Sequence, residues 1–147
     1  MIDVVNEHPK FKINRRNLVQ LLKKTAMSEN RDISELSVLL VTDRKIAKIH
    51  GDYLDDPTPT DVITFDLSNS DRLSGDIVIS LDTASRQAAE YGVSVTQEVG
   101  RLAVHGLLHL CGMSDKTPNL RKAMHIRENK YLVAAGWLEI NRKRESS

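Results

Sequence analysis

Residues 105–115 read His105-Gly106-Leu107-Leu108-His109-Leu110-Cys111-Gly112-Met113-Ser114-Asp115, and this stretch predicts both a helix and a metal site. Two histidines four residues apart lie on one helical face, because each residue advances the helix by about 100°. Gly112 favours the left-handed backbone that ends a helix and turns the chain. The turn brings Asp115 back toward His105 and His109. Two imidazoles and one carboxylate leave the fourth position of a tetrahedral zinc ion open, as in catalytic zinc sites.

The same stretch is compatible with two alternatives to a catalytic metal site of this kind. Buried histidines bonded to backbone carbonyls would also suit an apolar helix, so the pair alone is a weak signal. The zinc peptidases with an H-E-x-x-H motif place a general base directly after the first histidine. Gly106 occupies that position here and cannot accept a proton, which argues against peptide hydrolysis.

Composition predicts one globular domain over residues 1–147, with 40% hydrophobic and 28% charged residues. No run approaches the roughly 20 apolar residues of a membrane helix. The first residues, Met1–Glu7, lack the basic and apolar regions of a secretory signal. A single cysteine, Cys111, cannot form an internal disulfide. We therefore expect a cytoplasmic protein without a membrane partner.

Charge is distributed unevenly along the chain. Residues 51–76 contain seven aspartates against Arg72 alone, a net charge of −6, so the remainder carries +7. A basic face could bind phosphate groups, although basic runs in a sequence are more often solvated helix surfaces. The basic residues gather in two groups, Lys10, Lys12, Arg15, Arg16, Lys23 and Lys24, and Arg121, Lys122, Arg127, Lys130, Arg142, Lys143 and Arg144.

Hydrophobic periodicity and capping residues predict an α+β fold with about four strands. The strands are expected at 1–5, 36–41, 61–67 and 75–80, and the helices at 15–27, 43–54, 82–91, 95–111 and 118–135. The short connection between the last two strands suggests an antiparallel pair. The helix at 95–111 is apolar over most of its surface and should be central. Residues 141–147 should form a flexible tail.

Three motifs resemble those of the YbeY family of bacterial metal-dependent endoribonucleases. The stretch His105–Asp115 is similar to the family signature H-G-x-L-H-L-x-G-x-x-H. Residues Thr60–Phe65 resemble the strand T-D-V-(L/I)-(S/T)-F, and Gly75–Ser80 resembles G-D-I-x-I-S. The three motifs occur in the family's order.

The resemblance implies a mixed sheet packed against helices, with a zincin-like central metal helix. It also implies cleavage of single-stranded RNA in late ribosomal RNA processing, namely maturation of the 16S 3′ end, and a part in ribosome quality control. The implied partners are ribosomal RNA, the small ribosomal subunit and a ribosome-associated GTPase. No organic cofactor is expected. The alternative is a ribosome-associated maturation factor whose metal is mainly structural.

The expected site consists of one divalent metal ion, with zinc favoured, bound by His105, His109 and Asp115. Catalysis would depend on His105 and His109 through the water that the metal activates. Asp115 departs from the family, whose third ligand is usually histidine. His125 is a second candidate for that ligand. We rank it below Asp115 because the chain that turns at Gly112 reaches the histidines with residue 115 before it enters the next helix.

The other residues that the sequence singles out have either two interpretations or a structural one. Asp61 and Asp76 could orient groups near the metal, or they could be strand-end carboxylates bonded to backbone. His50 and Cys111 are expected to be core residues and not ligands. Leu54 stands where some family members carry an arginine thought to contact RNA, so direct phosphate contact is not expected there.

Overall fold

A computed structural model describes residues 1–138. The tail predicted at 141–147 therefore lies outside the described residues. Four strands and five helices follow one another in the order β1 (Ile2–Asn6), α1 (Arg15–Ser28), β2 (Ile33–Val41), α2 (Asp43–Leu54), β3 (Val62–Asp66), β4 (Leu73–Ser80), α3 (Leu81–Tyr91), α4 (Val95–Leu110) and α5 (Pro118–Ala134).

The strands form one mixed sheet in the order β1-β2-β4-β3. β1 and β4 both run parallel to β2, while β3 pairs with β4 in the antiparallel sense. The predicted α+β class, the four strands and the antiparallel pair are thus confirmed. β2 begins at Ile33, three residues before the expected start. Pairing with β4 alone, Ile33 with Leu73 and Glu35 with Ser74, extends the strand, with a register shift between Ile33 and Glu35.

The capping residues predicted from the sequence begin the helices. Asn14, Thr42 and Thr117 each accept a hydrogen bond from a backbone N–H in the first turn that follows. Ser94 and Gln97 form a reciprocal capping box at the start of α4. Because these signals are local in sequence, the helix starts were predictable without knowledge of the packing.

α4 is the central helix of the fold. It packs against α1, α3 and α5 and also against β3 and β4. Gly106 permits the close approach to the sheet, since a Cβ there would lie 2.9 Å from Ile77 Cγ2 and 3.0 Å from Thr64 Cγ2. α2 covers part of the opposite sheet face, where Ile46 packs with Val41 and Val78. Within residues 1–138, no helix has the length and hydropathy that crossing a membrane requires.

Candidate metal centre

α4 places the two predicted histidines on consecutive turns of one face. Their Nε2 atoms are 3.0 Å apart, and both rings are partly buried. After the helix ends, Gly112 adopts a φ of +99°. The Gly112 N–H donates to the His109 carbonyl and the Met113 N–H donates to the Leu108 carbonyl, which is the Schellman arrangement.

The turn returns Asp115 to the histidines, as the sequence predicts. Asp115 Oδ2 lies 3.2 Å from His109 Nε2 and 3.4 Å from His105 Nε2. These three residues form the one cluster of potential metal donors among residues 1–138. The structure therefore brings together all three residues proposed as ligands.

Hydrogen bonds at the far side of each ring decide which nitrogen faces the cluster. His105 Nδ1 lies 2.6 Å from Glu128 Oε2, and His109 Nδ1 lies 3.0 Å from the Met113 carbonyl oxygen. A carboxylate and a carbonyl can only accept, so each Nδ1 carries the proton. In a neutral imidazole the Nε2 atom then presents a lone pair. Two such lone pairs and the Asp115 carboxylate converge on one point, which favours a cation there.

The donor geometry fits a metal ion. An ion bound tetrahedrally at about 2.0–2.1 Å from nitrogen and oxygen donors separates those donors by about 3.3 Å. The three donor separations here are 3.0, 3.2 and 3.4 Å. Two imidazoles and a carboxylate also suit zinc and other divalent first-row metals. The residues present could therefore hold one divalent ion.

A buried network of charged side chains contacts His105 on the side of the ring away from the donor cluster. Glu128, 1% exposed, accepts from His105 Nδ1 and from Arg101 Nη1. Arg101 also makes a bidentate pair with the equally buried Glu98, at 2.6 and 2.8 Å. The network fixes the His105 ring in the orientation that exposes Nε2, the role that a carboxylate commonly plays behind a metal-binding histidine.

The same contacts shift the ionisation of both partners. Burial alone would lower the pKa of His105, but the hydrogen bond to Glu128 and the charges of Glu128, Asp115 and Asp61 outweigh it, so this pKa is raised. Burial would raise the pKa of Glu128, yet its hydrogen bond to His105, the nearby His125 and the charges of His105 and Arg101 lower that pKa to about 2. Glu128 is thus a carboxylate at neutral pH.

His125 does not join the donor cluster. Its side chain is 59% exposed, and its Nδ1 lies 3.7 Å from Glu128 Oε1. The ranking of Asp115 above His125 as a metal ligand stays a prediction.

The two strand aspartates differ in position. Asp61 accepts from the Val62 N–H at 2.7 Å and from Gln87 Nε2 at 3.3 Å, while its charge contributes to the raised pKa of His105. Asp76 alternates with Ile77, which contacts α4, and so faces the other side of the sheet. There it lines a groove of about 800 Å³ beside α2. Asp76 therefore does not lie at the donor cluster formed by His105, His109 and Asp115.

The remaining residues singled out from the sequence lie outside the cluster. His50 is half-buried and lies outside the hydrophobic core, and its Nδ1 donates to the Thr58 carbonyl at 2.9 Å, which satisfies the ring. Cys111 is half-buried against the core, and burial raises the pKa of its thiol. Leu54, the last residue of α2, is 52% exposed.

Sequence reasoning missed Glu128. Its signal was present, because Glu128 follows Met124 by four residues and precedes Tyr131 and Leu132 by three and four. A helix with this spacing places all four on one face, and all four are buried. A carboxylate within an apolar stripe indicates a buried partner, which here is His105.

Comparisons with known proteins show to which family the chain belongs. The family model of Endoribonuclease YbeY matches residues 3–136. Proteins named Endoribonuclease YbeY from Bacteroides thetaiotaomicron and Bacillus cereus are 40% and 37% identical to the chain. The former alignment covers 82% of this chain and 88% of the relative, and the latter covers 92% and 96%.

A solved structure shows the same fold. The solution structure of TM1509 from Thermotoga maritima superimposes with a TM-score of 0.69 at 27% identity, covering 92% of this chain and 89% of that one. The matched range 3–136 includes the two histidines, Asp115 and Glu128. From its sequence and its fold, the chain belongs to the YbeY endoribonuclease family.

Proposed function

We propose that this protein is a zinc-dependent endoribonuclease that hydrolyses single-stranded RNA at the cluster of His105, His109 and Asp115. The observation that carries the proposal is the convergence of two Nε2 atoms and one carboxylate oxygen within 3.4 Å of one another. Membership of the endoribonuclease family supplies the reaction class.

A divalent ion at this cluster would supply Lewis acidity, which lowers the pKa of water and offsets charge on a phosphate. The protein's own groups fix the geometry for that chemistry. Glu128 and the Met113 carbonyl hold the two imidazoles in one tautomer, so no reorientation is needed during reaction. Asp115 adds a negative charge that a third histidine would not add, which makes the ion a weaker Lewis acid.

Substrate access is from the solvent side of the cluster. The side chains of His109 and Asp115 remain 27% and 36% exposed, whereas Glu128 closes the other side. A flexible single strand can bend into such a half-buried centre more readily than a rigid duplex can, which supports a preference for single-stranded RNA.

The finer parts of the proposal follow from the family. We expect precursors of ribosomal RNA as substrate, with maturation of the 16S 3′ end and ribosome quality control as the processes served. The small ribosomal subunit and a ribosome-associated GTPase are the expected partners, and the cytoplasm is the expected location.

The proposed function is tested with purified protein and labelled RNA. Zinc-loaded wild type should cleave a single-stranded oligoribonucleotide faster than the same sequence in a duplex, and a chelator should abolish cleavage until zinc is restored. His109→Ala, purified in parallel, controls for contaminating nuclease and should be inactive. Cleavage by His109→Ala at the wild-type rate would refute the proposal.

The alternative function is a maturation factor in which the metal stabilises the fold. The cluster joins α4 to the loop after it and, through Glu128, to α5, so a bound ion would also tie these segments together. Zinc that raises the melting temperature of wild type without supporting any RNA cleavage would favour this alternative.

A further inference from the structure

One flank of α5 carries basic residues next to the donor cluster of His105, His109 and Asp115. At about 100° per residue, Arg121, His125 and Lys122 lie about 20°, 60° and 120° to one side of Glu128. Arg127 lies about 100° to the other side, where its Nη1 pairs with Glu29 of the segment after α1 at 3.2 Å. We call Arg121, Lys122 and His125 the α5 flank.

Contacts place the α5 flank beside the proposed ligands. Arg121 Nη1 donates to the backbone carbonyl of Asp115 at 3.2 Å. His125 lies 3.7 Å from Glu128, which in turn bonds His105. Arg121 therefore contacts the backbone of a proposed ligand, and His125 lies next to the carboxylate that supports another proposed ligand.

The α5 flank has capacity to bind an anion. All three of its side chains are exposed. Among residues 1–138, no carboxylate forms an ion pair with Arg121 or Lys122, although four other pairs involve arginine and a carboxylate. The guanidinium of Arg121 has five N–H donors, and one of them donates to the Asp115 carbonyl, which leaves others for an anion.

One carboxylate lies on the β3 side of the donor cluster. α4 packs against α5 on one side and against β3 on another. Asp61 directly precedes β3, and its negative charge acts on His105. A polyanion that approaches the cluster is repelled from the β3 side and attracted to the α5 side.

We propose that the α5 flank binds the phosphates of single-stranded RNA, with Arg121 holding a phosphate adjacent to the metal cluster. This inference rests on the proposed function and assigns the side from which the strand enters. Arg121 presents a planar fork that matches phosphate oxygens, Lys122 adds a second positive charge, and His125 adds a ring N–H that can donate to a phosphate.

Binding is measured separately from cleavage. The probe is a fluorescent single-stranded 2′-O-methyl oligoribonucleotide, which lacks the free 2′-hydroxyl and is expected to resist cleavage. Its anisotropy gives the Kd for zinc-loaded full-length protein at several salt concentrations. Arg121→Ala and Lys122→Ala are compared with matched controls, Arg44→Ala on α2 and Lys130→Ala on the far side of α5, which remove the same charge elsewhere.

We expect Arg121→Ala to raise the Kd of the oligonucleotide about tenfold, because it removes a charge-assisted bidentate contact. The slope of log Kd against log salt should fall by about 0.7 for one lost phosphate contact. Arg121→Lys should keep the salt slope but bind more weakly than wild type. Lys122→Ala should show a smaller loss, and both controls should bind as wild type does.

Three results would overturn the inference. One is a Kd for Arg121→Ala equal to that of Arg44→Ala. A second is a loss of zinc affinity that accounts for the weaker binding, which would make Arg121 only a support for the Asp115 loop. A third is equal binding of double-stranded competitor. If wild type binds the oligonucleotide through Arg121 yet cleaves no RNA, the proposed function fails while the binding surface stands.

Discussion

At the scale of single residues, the candidate site depends on two protons that point away from it. The Nδ1–H groups of His105 and His109 are both committed to acceptors, so both Nε2 atoms face Asp115 as lone-pair donors. Without these acceptors either ring could present an N–H to the cluster and oppose a cation. Glu128 and the Met113 carbonyl therefore matter to the site although neither belongs to the donor set.

Replacing Asp115 should weaken metal binding more than replacing His125. Asp115→Ala removes one of three donors, and we expect the Kd for zinc to rise about 100-fold or more, beyond the typical effect of losing an outer hydrogen bond. The measurement is competition with a chromophoric chelator. His125→Ala is the control and should leave the Kd for zinc unchanged, since the exposed His125 does not converge on the cluster. The reverse ranking would identify His125 as the third ligand.

Glu128→Gln should lower zinc affinity while the fold is kept. A glutamine amide oxygen can still accept from His105 Nδ1, but it lacks the charge that makes the imidazole a stronger donor. We expect a rise of about 10- to 100-fold in the Kd for zinc in the same competition assay. Glu90→Gln on the exposed part of α3 serves as the control. Equal affinities for the two variants would show that Glu128 has no influence on the metal.

At the scale of elements, two glycines set the position of α4 against the sheet. Gly106 faces Ile77 and Thr64, and Gly75 of β4 faces Leu110 from the sheet side. A Cβ at Gly106 would lie 2.9 Å from Ile77 Cγ2 and one at Gly75 would lie 3.1 Å from Leu110 Cδ2, so the helix lies nearer to β3 and β4 than a helix of larger residues would. His105 and His109 are adjacent to these contacts, and the depth of α4 therefore determines where they lie.

Gly106→Ala should destabilise the protein although alanine is the better helix former. The new Cβ would lie 2.9 Å from Ile77 Cγ2 and 3.0 Å from Thr64 Cγ2, two methyl groups on stiff β-branched side chains. We expect a loss of about 1–3 kcal/mol in the free energy of unfolding relative to Gly51→Ala. Gly51 lies within α2, where the nearest atom to a new Cβ is 3.4 Å away. Urea denaturation measures both, and equal stabilities would show that α4 can shift at no cost.

At the scale of the whole molecule, the cluster joins parts of the chain that are distant in sequence. Donors come from α4 and the following loop, and the supporting carboxylate comes from α5. A metal ion that binds only the folded protein adds its binding free energy to stability. Metal loading should therefore be visible in the melting temperature of the entire protein.

Zinc should stabilise the protein more at pH 8 than at pH 6. The raised pKa of His105 means that protonated His105 stabilises the metal-free protein below about pH 6.5, a contribution lost as the pH rises through the raised value. Zinc must displace that proton, so it competes better at high pH. With free zinc at 100 times the Kd, about 2.7 kcal/mol of added stability corresponds to a rise of roughly 5–10 °C at pH 8.

Scanning calorimetry at pH 6, 7 and 8, with and without zinc, measures this difference. His109→Ala should show no zinc-dependent rise at any of these pH values. A rise in wild type that is the same at pH 6 and pH 8 would contradict the assigned role of His105.

Much of the fold could be predicted because its signals are local. Asn14, Thr42 and Thr117 cap helices through backbone groups three residues away, and Gly112 ends α4 through its own φ angle. The order β1-β2-β4-β3 was not predictable in this way, since it depends on which strands meet across the sheet. One domain over residues 1–147 and the ligand role of Asp115 stay predictions.

The sequence by itself determined the pair His105 and His109 and the return of Asp115, because a helical repeat and one glycine turn fix geometry over eleven residues. Only the tertiary structure decided that Glu128 supports His105, that Asp76 faces away from the cluster, and that Arg121 lies beside it. Glu128 is 23 residues from His105, and no local rule sets that distance. The packing of α5 on α4 and the pairing of β4 in the sheet set these positions, and both follow from burial of apolar surface across the whole chain.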